Sequence, residues 1–180
     1  IGGAFKLASL TVNGGGTTIL NSLFVNTDGV QTYADATELG ATVFFTTLGG
    51  DISFGSDLAS GTIPHDILFN VGTGDVSFAG AVGSAVHKIG NIVVGAAHDF
   101  TFSGVTFAGE YVQLNGTGLT KFDSAVTFDG GFNFTGSDLT FNATADATNF
   151  LINNTGTFTT AAGANLTATN SVFLQIGAGS

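Results

Sequence analysis

A repeat of fixed length is the feature that most restricts the fold of this chain. Asp51, Asp75 and Asp99 recur at one constant interval, and each is followed three residues later by a phenylalanine. A constant spacing over successive segments is typical of repeat proteins, in which each repeat is one structural unit that stacks on its neighbours. The sequence therefore predicts a stack of similar units.

The same interval, interrupted by one insertion of two residues, predicts two apolar columns along the stack. The first column is Ile52, Val76, Phe100, Val126, Phe150 and Leu174, and the second is Phe54, Phe78, Phe102, Phe128, Ile152 and Ile176. The residue between the columns is polar in five of the six repeats. This alternation indicates β-strands that turn one face toward a core and the other toward solvent.

The composition favours strands over helices throughout. The chain is rich in Gly, with 28 residues, and in Phe, with 18, and no segment sustains the apolar period of a helix. A repeat of this length is too short for a propeller blade and lacks the helix of leucine-rich or ankyrin repeats.

We therefore expect an all-β protein, a right-handed parallel β-solenoid with about 24 residues per coil. Residues 1–180 would form a single domain or a segment of a longer solenoid. The main competitor is an antiparallel β-sandwich, which does not require the same class of residue at one constant interval.

The charge excludes several classes of partner. Three lysines and no arginine stand against 13 acids, which gives a formal net charge of -10. Nucleic acid and anionic membranes would find no basic patch. No apolar run reaches the ~18 residues of a membrane span, and the absence of Cys removes disulfides and thiolate metal sites. We expect no nucleic acid partner, no membrane insertion and no cofactor.

Several segments resemble the repeats of large secreted bacterial proteins of the filamentous-haemagglutinin and autotransporter type. They are LASLTVNGGGTTILN, GVQTYADATELGA, GGDISFGSDL and GDVSFAGAVG. The resemblance implies a right-handed β-helix stalk that is exported to the cell surface. Such a stalk acts as an adhesin or as the shaft that presents one, and its partners would include glycans of host or neighbouring cells. The high Phe content and short chain depart from this family.

The repeated aspartates are the first candidates for chemistry. If the register holds, Asp51, Asp75 and Asp99 lie about 5 Å apart on one face, a spacing near that of the carboxylate pair in a retaining glycosidase. A column of carboxylates also suits calcium. The alternative is that each Asp is a turn residue that binds backbone N–H groups. We expect no metal site, with these aspartates as the candidates if one exists.

The remaining motifs do not predict an enzyme. The histidines are His65, His87 and His98, and no pair has the helical spacing of a zinc site. No nucleophile elbow accompanies the His98–Asp99 pair. The β-helix enzymes that act on acidic sugars need basic residues, which are scarce here. Tyr33 and Tyr111 offer a stacking ring with a polar tip, so a carbohydrate-binding or carbohydrate-active β-helix domain is the alternative function.

The favoured function is structural. We expect a noncatalytic, extracellular rigid fibre, stalk or adhesin segment. Both ends of the chain, IGGAFKLASL and VFLQIGAGS, carry the apolar pattern close to the terminus, and solenoid ends are normally capped. This predicts that copies stack head to tail into filaments.

Overall fold

The strands of the chain stack into a parallel β-solenoid of about eight coils. The computed structural model describes residues 1–3 and 5–177, and no helix occurs among them. Each coil runs past three faces, which we call face 1, face 2 and face 3 in chain order. Strands on neighbouring coils pair in parallel, so the same position recurs one coil further along the stack.

Face 1 contains one short strand from each coil. Its strands are β1 (Leu10–Val12), β4 (Gln31–Tyr33), β7 (Ile52–Phe54), β10 (Val76–Phe78), β12 (Phe100–Phe102), β14 (Leu119–Phe122), β17 (Asp138–Phe141) and β19 (Phe158–Thr160). In the central coils the middle residues of these strands point outward and their flanking residues point into the core.

Faces 2 and 3 share several long strands that bend from one face to the other. Face 2 begins with β2 (Thr17–Leu20), β5 (Ala36–Leu39) and β8 (Leu58–Ser60). Face 3 begins with β3 (Phe24–Asn26), β6 (Val43–Thr46), β9 (Ile67–Asn70) and β11 (Ile89–Ala96). Further along, β15 (Val126–Phe128) lies on face 2 and β16 (Gly131–Gly136) on face 3, while β13 (Thr106–Gln113), β18 (Ala145–Asn154) and β20 (Leu166–Ile176) contribute to both.

The first half of each predicted column is confirmed. Ile52 pairs with Val76 and Val76 with Phe100, in register. The phenylalanines at the ends of β7, β10 and β12 pair in the same way, and all six side chains are buried. The coil from β7 to β10 and the coil from β10 to β12 are equal in length. Each is three residues longer than the coil from β1 to β4 and the coil from β4 to β7.

The second half of the predicted columns is wrong. Phe100 pairs with Thr120 and Phe102 with Phe122. The coil from β12 to β14 is therefore four residues shorter than the coil from β10 to β12. The coils from β14 to β17 and from β17 to β19 are each one residue shorter again. The predicted members of these coils belong to other faces. Val126 and Phe128 lie in β15 on face 2, whereas Phe150 and Ile152 lie in β18 on face 3. All four are nevertheless buried.

The last predicted pairs are also out of register, by two residues. Phe150 pairs with Val172 instead of Leu174, and Ile152 pairs with Leu174 instead of Ile176. Leu174 and Ile176 are 44% and 38% exposed, because no described coil lies beyond β20 to cover them. They occupy inward positions in the last described coil.

Aromatic rings form the centre of the core. One ladder on face 1 comprises Tyr33, Phe54, Phe78, Phe102, Phe122 and Phe141, whose neighbouring rings are stacked with centroids 4.7 to 5.1 Å apart. Rings from face 3 meet this ladder edge to face, as Phe45 does with Phe54 at 5.7 Å. Offset stacks and edge contacts are the arrangements that aromatic pairs prefer. The ladder therefore ties successive coils together along the axis.

Candidate functional site at the acidic corner

The predicted aspartates do lie together at the corner that precedes face 1. Asp51, Asp75 and Asp99 come directly before β7, β10 and β12, on three consecutive coils. A glycine precedes two of them for a steric reason. A Cβ on Gly74 would lie 2.5 Å from the carbonyl oxygen of Gly50, so the corners of adjacent coils approach too closely for a side chain.

The carboxylates form a ladder with the backbone of the next coil. Asp51 Oδ1 accepts the N–H of Asp75 at 2.9 Å, and Asp75 Oδ1 accepts the N–H of Asp99 at 3.0 Å. Asp99 Oδ1 in turn accepts the N–H of Leu119 at 2.7 Å. The turn interpretation is therefore the better one, with the difference that each bond crosses to the neighbouring coil. These aspartates fasten one coil to the next.

His98 stands beside this ladder. Its Nδ1 lies 2.9 Å from Asp75 Oδ1 and 3.5 Å from Asp99 Oδ1, and its side chain is half exposed. The hydrogen bond to Asp75, followed by the negative charge of Asp99, raises the pKa of His98 above its ordinary value of 6.5. Protonated His98 bridges two carboxylates that otherwise repel each other.

The donor atoms of Asp75, His98 and Asp99 lie within 4.8 Å of one another. Calcium prefers six to eight oxygen ligands, whereas this group offers two carboxylates and one ring nitrogen. One oxygen of each carboxylate already accepts a backbone N–H. The hydrogen bonds among these residues and to the backbone explain why the three side chains lie together, without a metal ion.

The outer surface of face 1 next to the ladder is a shallow groove. Small hydroxyl side chains line it, among them Thr32, Ser53 and Ser77, together with Asp51 and Asp75. No aromatic ring is among the described residues that line it. The carbohydrate hypothesis expects a groove with both exposed acids and exposed aromatic rings, and this groove has the acids but no ring.

The other two histidines form hydrogen bonds with residues outside the aspartate ladder. His87 Nδ1 lies 3.0 Å from the carbonyl oxygen of Gly61, and the backbone N–H of His65 donates to Ser60 Oγ at 2.9 Å. Neither belongs to a group of three described side chains that could ligate a metal.

Two of the three lysines form ion pairs at the surface. Lys88 contacts Asp129 at 2.6 Å, and Lys121 contacts Asp123 at 3.0 Å. Exposed ion pairs of this kind add little stability. The ammonium groups of Lys88 and Lys121 are therefore already paired with carboxylates of the same chain.

The tyrosines that suggested a sugar site are core residues. Tyr33 and Tyr111 are fully buried, and burial raises the pKa of both hydroxyls far above the ordinary range. The Tyr33 hydroxyl donates to Gln31 Oε1 at 3.1 Å, and the Tyr111 hydroxyl donates to Gln113 Oε1. Neither ring is available to stack on a ligand.

The buried glutamines were missed by sequence reasoning. Gln31 Nε2 donates to the carbonyl oxygens of Val25 and Thr46, at 3.2 and 3.1 Å, and Gln113 Oε1 also accepts the Thr120 hydroxyl at 2.9 Å. A Gln two residues from a Tyr in each strand, QTY and YVQ, is the signal that could have indicated an inward polar pair. These groups satisfy one another inside the core.

Comparison with protein-family models, with curated proteins and with solved structures finds no match to this chain. The β-solenoid assignment therefore stands on the strand pairing alone. Among the described residues, no helix has the length and apolarity to cross a membrane.

Proposed function

We propose that this chain is a noncatalytic structural rod, a segment of an extracellular surface fibre, stalk or adhesin in the style of the filamentous-haemagglutinin and autotransporter proteins. The observation that carries the proposal is the aromatic ladder from Tyr33 to Phe141, which stacks rings on six consecutive coils. About eight coils at ~4.8 Å each make a rod of about 38 Å. A core that is continuous along the axis gives such a rod stiffness.

The chemistry at the corner supports a structural role. The aspartates best placed for catalysis accept backbone N–H groups of the next coil. They hold the coils in register, which is a mechanical task.

The last coil supports assembly through the end of the rod. Val172, Leu174 and Ile176 hold inward positions in β20 but are 54%, 44% and 38% exposed. From residue 147 onward the sequence has no charged side chain. Charged residues, Pro and bulges are the usual devices that keep an open strand edge from pairing. β20 carries neither a charge nor a Pro, and its one register shift against β18 lies between Ala147 and Asn149, before the pairs that contain Val172, Leu174 and Ile176. A coil from a second copy would cover these side chains and extend the rod head to tail.

Electron microscopy and light scattering of the 180-residue chain test the proposal. We expect rods that lengthen in steps of one chain as the concentration rises. The double variant Val172→Lys, Leu174→Lys places charges at the open end and should leave single rods. Val86→Lys, at a site that is 81% exposed on a loop, is the matched control and should lengthen as the wild type does.

Two outcomes of these measurements would contradict the proposal, and an activity assay could supply a third. One is a compact, flexible particle instead of a rod. The other is a wild-type rod that stays single at every concentration, which would remove the head-to-tail assembly. A turnover of polysaccharide by the chain would contradict the noncatalytic assignment.

A further inference from the structure

The outside of face 3 carries a column of apolar side chains, where an outward position should be polar. The strand pairing places these outward residues in one line along the stack: Phe24, Phe44, Leu68, Val93, Val112, Asn133, Leu151 and Phe173. We call this line the outer apolar column. Seven of its eight members are apolar, and Phe24, Leu151 and Phe173 are 46%, 43% and 56% exposed. Burial in the core does not explain why apolar residues occupy these outward positions.

A groove runs along this column in the middle of the stack. Its lining includes Phe44, Leu68, Val93, Gly95 and Leu114. Gly95 lies at a β-bulge in β11, where the pairing with β9 shifts between Val94 and Ala96. The missing side chain leaves a notch. Leu114, on the next coil, is 61% exposed and rises beside the notch.

Charge indicates what covers this face. The chain carries a net charge of -10, so two copies repel each other through any face that bears acids. The outer apolar column contains none of the 13 acids. Asp66 and Glu110 flank it at the corner with face 2, where a polar rim is normal. Two copies that meet on this face therefore bring no acids of the outer apolar column together.

The area is also sufficient for a stable pair. About eight coils at ~4.8 Å give a length of about 38 Å, and face-3 strands of three to six residues give a mean width of about 15 Å. One copy would therefore bury about 550 Å² and the pair about 1,100 Å², which is just above the ~1,000 Å² that a specific interface should clear.

We propose that face 3 is a lateral dimer interface, on which a second copy of the chain packs antiparallel through the outer apolar column. A twofold axis that lies in the interface, perpendicular to the rod, brings coils from opposite halves together. Gly95 and Leu114 lie on the two middle coils of face 3, so Leu114 of each copy enters the notch at Gly95 of the other. Phe44 then faces Leu151, and Phe24 faces Phe173.

Sedimentation across the micromolar range tests the interface. The measurement uses the Val172→Lys, Leu174→Lys background, in which assembly through the rod end is blocked, so failure of the lateral dimer and failure of the filament are distinguished. We expect a dimer that Leu114→Asp weakens about tenfold or more, since a charge would be buried without a partner. Val86→Asp adds the same charge outside face 3 and should leave the dimer unchanged. Circular dichroism verifies that both variants are folded.

Disulfide trapping tests the orientation, because the chain contains no Cys. A mixture of the single variants Phe44→Cys and Leu151→Cys should form mixed disulfide dimers in excess over either variant alone. Equal trapping of each variant with itself would overturn the antiparallel arrangement. A monomer at all concentrations, or a dimer that Leu114→Asp leaves intact, would overturn the interface.

Discussion

Phe78 stacks on Phe102 with ring centroids 4.9 Å apart and ring planes inclined by 14°. The two residues lie at the same position of consecutive coils and pair directly through β10 and β12. Each ring therefore supports its neighbour along the axis, and both rings are buried. We therefore expect each ring of the ladder to contribute to the stability of the rod.

Removal of one ring should be costly. Phe102 lies between Phe78 and Phe122, with centroids 4.9 and 4.7 Å away. Phe102→Ala leaves a cavity in a rigid stack and should lower the free energy of unfolding by about 3 to 5 kcal/mol. Chemical denaturation monitored by circular dichroism measures the loss.

Phe5→Ala is the matched control for this substitution. Phe5 is 89% exposed, so its replacement should change the free energy of unfolding by less than about 0.5 kcal/mol. Equal losses in the two variants would show that the ladder is not the stabilising element.

The sequence predicted the class of fold because each coil repeats the same physical requirement. Ile52, Val76 and Phe100 are inward residues of short strands, and coils of equal length keep them in line. The apolar alternation, the glycine-rich corners and the absence of a helical period all agree with one architecture. Agreement between local pattern and global fold is expected of a sequence that specifies one structure.

The register failed where coil length changed. Each coil runs past three faces with nearly the same inward pattern, so a pattern such as Val126-x-Phe128 fits any face. The true successor of Phe100 is Thr120, a polar residue whose hydroxyl is satisfied by Gln113. A period that shortens by four residues at a polar inward position cannot be recognised from apolar spacing alone.

The grouping of the aspartates at the acidic corner and their bonds to backbone N–H groups were predicted, but the prediction placed those N–H groups locally and not on the next coil. Asp51, Asp75 and Asp99 recur at the length of one coil and therefore lie together. The sequence does not indicate that each carboxylate accepts an N–H from the following coil. That depends on how closely the corners approach.

The close approach at this corner predicts a strict requirement for glycine. A Cβ on Gly74 would lie 2.5 Å from the Gly50 carbonyl oxygen and 2.8 Å from its carbon, both in rigid backbone. Gly74→Ala should therefore force the coils apart and lower the free energy of unfolding by about 1 to 3 kcal/mol. Thermal and chemical denaturation measure the effect.

Gly16→Ala provides the comparison, since a Cβ there meets no atom within 4 Å. This variant should be as stable as the wild type or slightly more stable, because alanine restricts the unfolded chain. If Gly74→Ala were tolerated equally well, the corners could not be packed as closely as described.

His98 should make stability depend on pH. Its pKa is raised by the hydrogen bond to Asp75 and by the charge of Asp99, so the folded protein binds this proton more tightly than the unfolded chain does. The resulting stabilisation is fully present below the ordinary pKa of 6.5 and is lost as the pH rises through the folded value. The difference in thermal midpoint between wild type and His98→Gln should therefore be larger in acid than in alkali.

Asp75→Asn separates charge from backbone hydrogen bonding at this site. The amide oxygen still accepts the Asp99 N–H, but the negative charge is gone, so the pKa of His98 should move down toward its ordinary value. An NMR titration of the His98 ring measures this directly. A His98 pKa that does not respond to Asp75→Asn would refute the assigned cause.

Metal removal should leave the fold unchanged. The nearest group to a metal site, Asp75, His98 and Asp99, provides two carboxylates, and Oδ1 of each already accepts a backbone N–H. Calcium would have to compete with those bonds while gaining few of the six to eight oxygens it prefers. We expect the same thermal midpoint with chelator, with calcium chloride, and with magnesium chloride at equal ionic strength. A rise of several degrees that is specific to calcium, and that Asp75→Asn abolishes, would instead identify this corner as a cation site and make its aspartates ligands as well as coil fasteners.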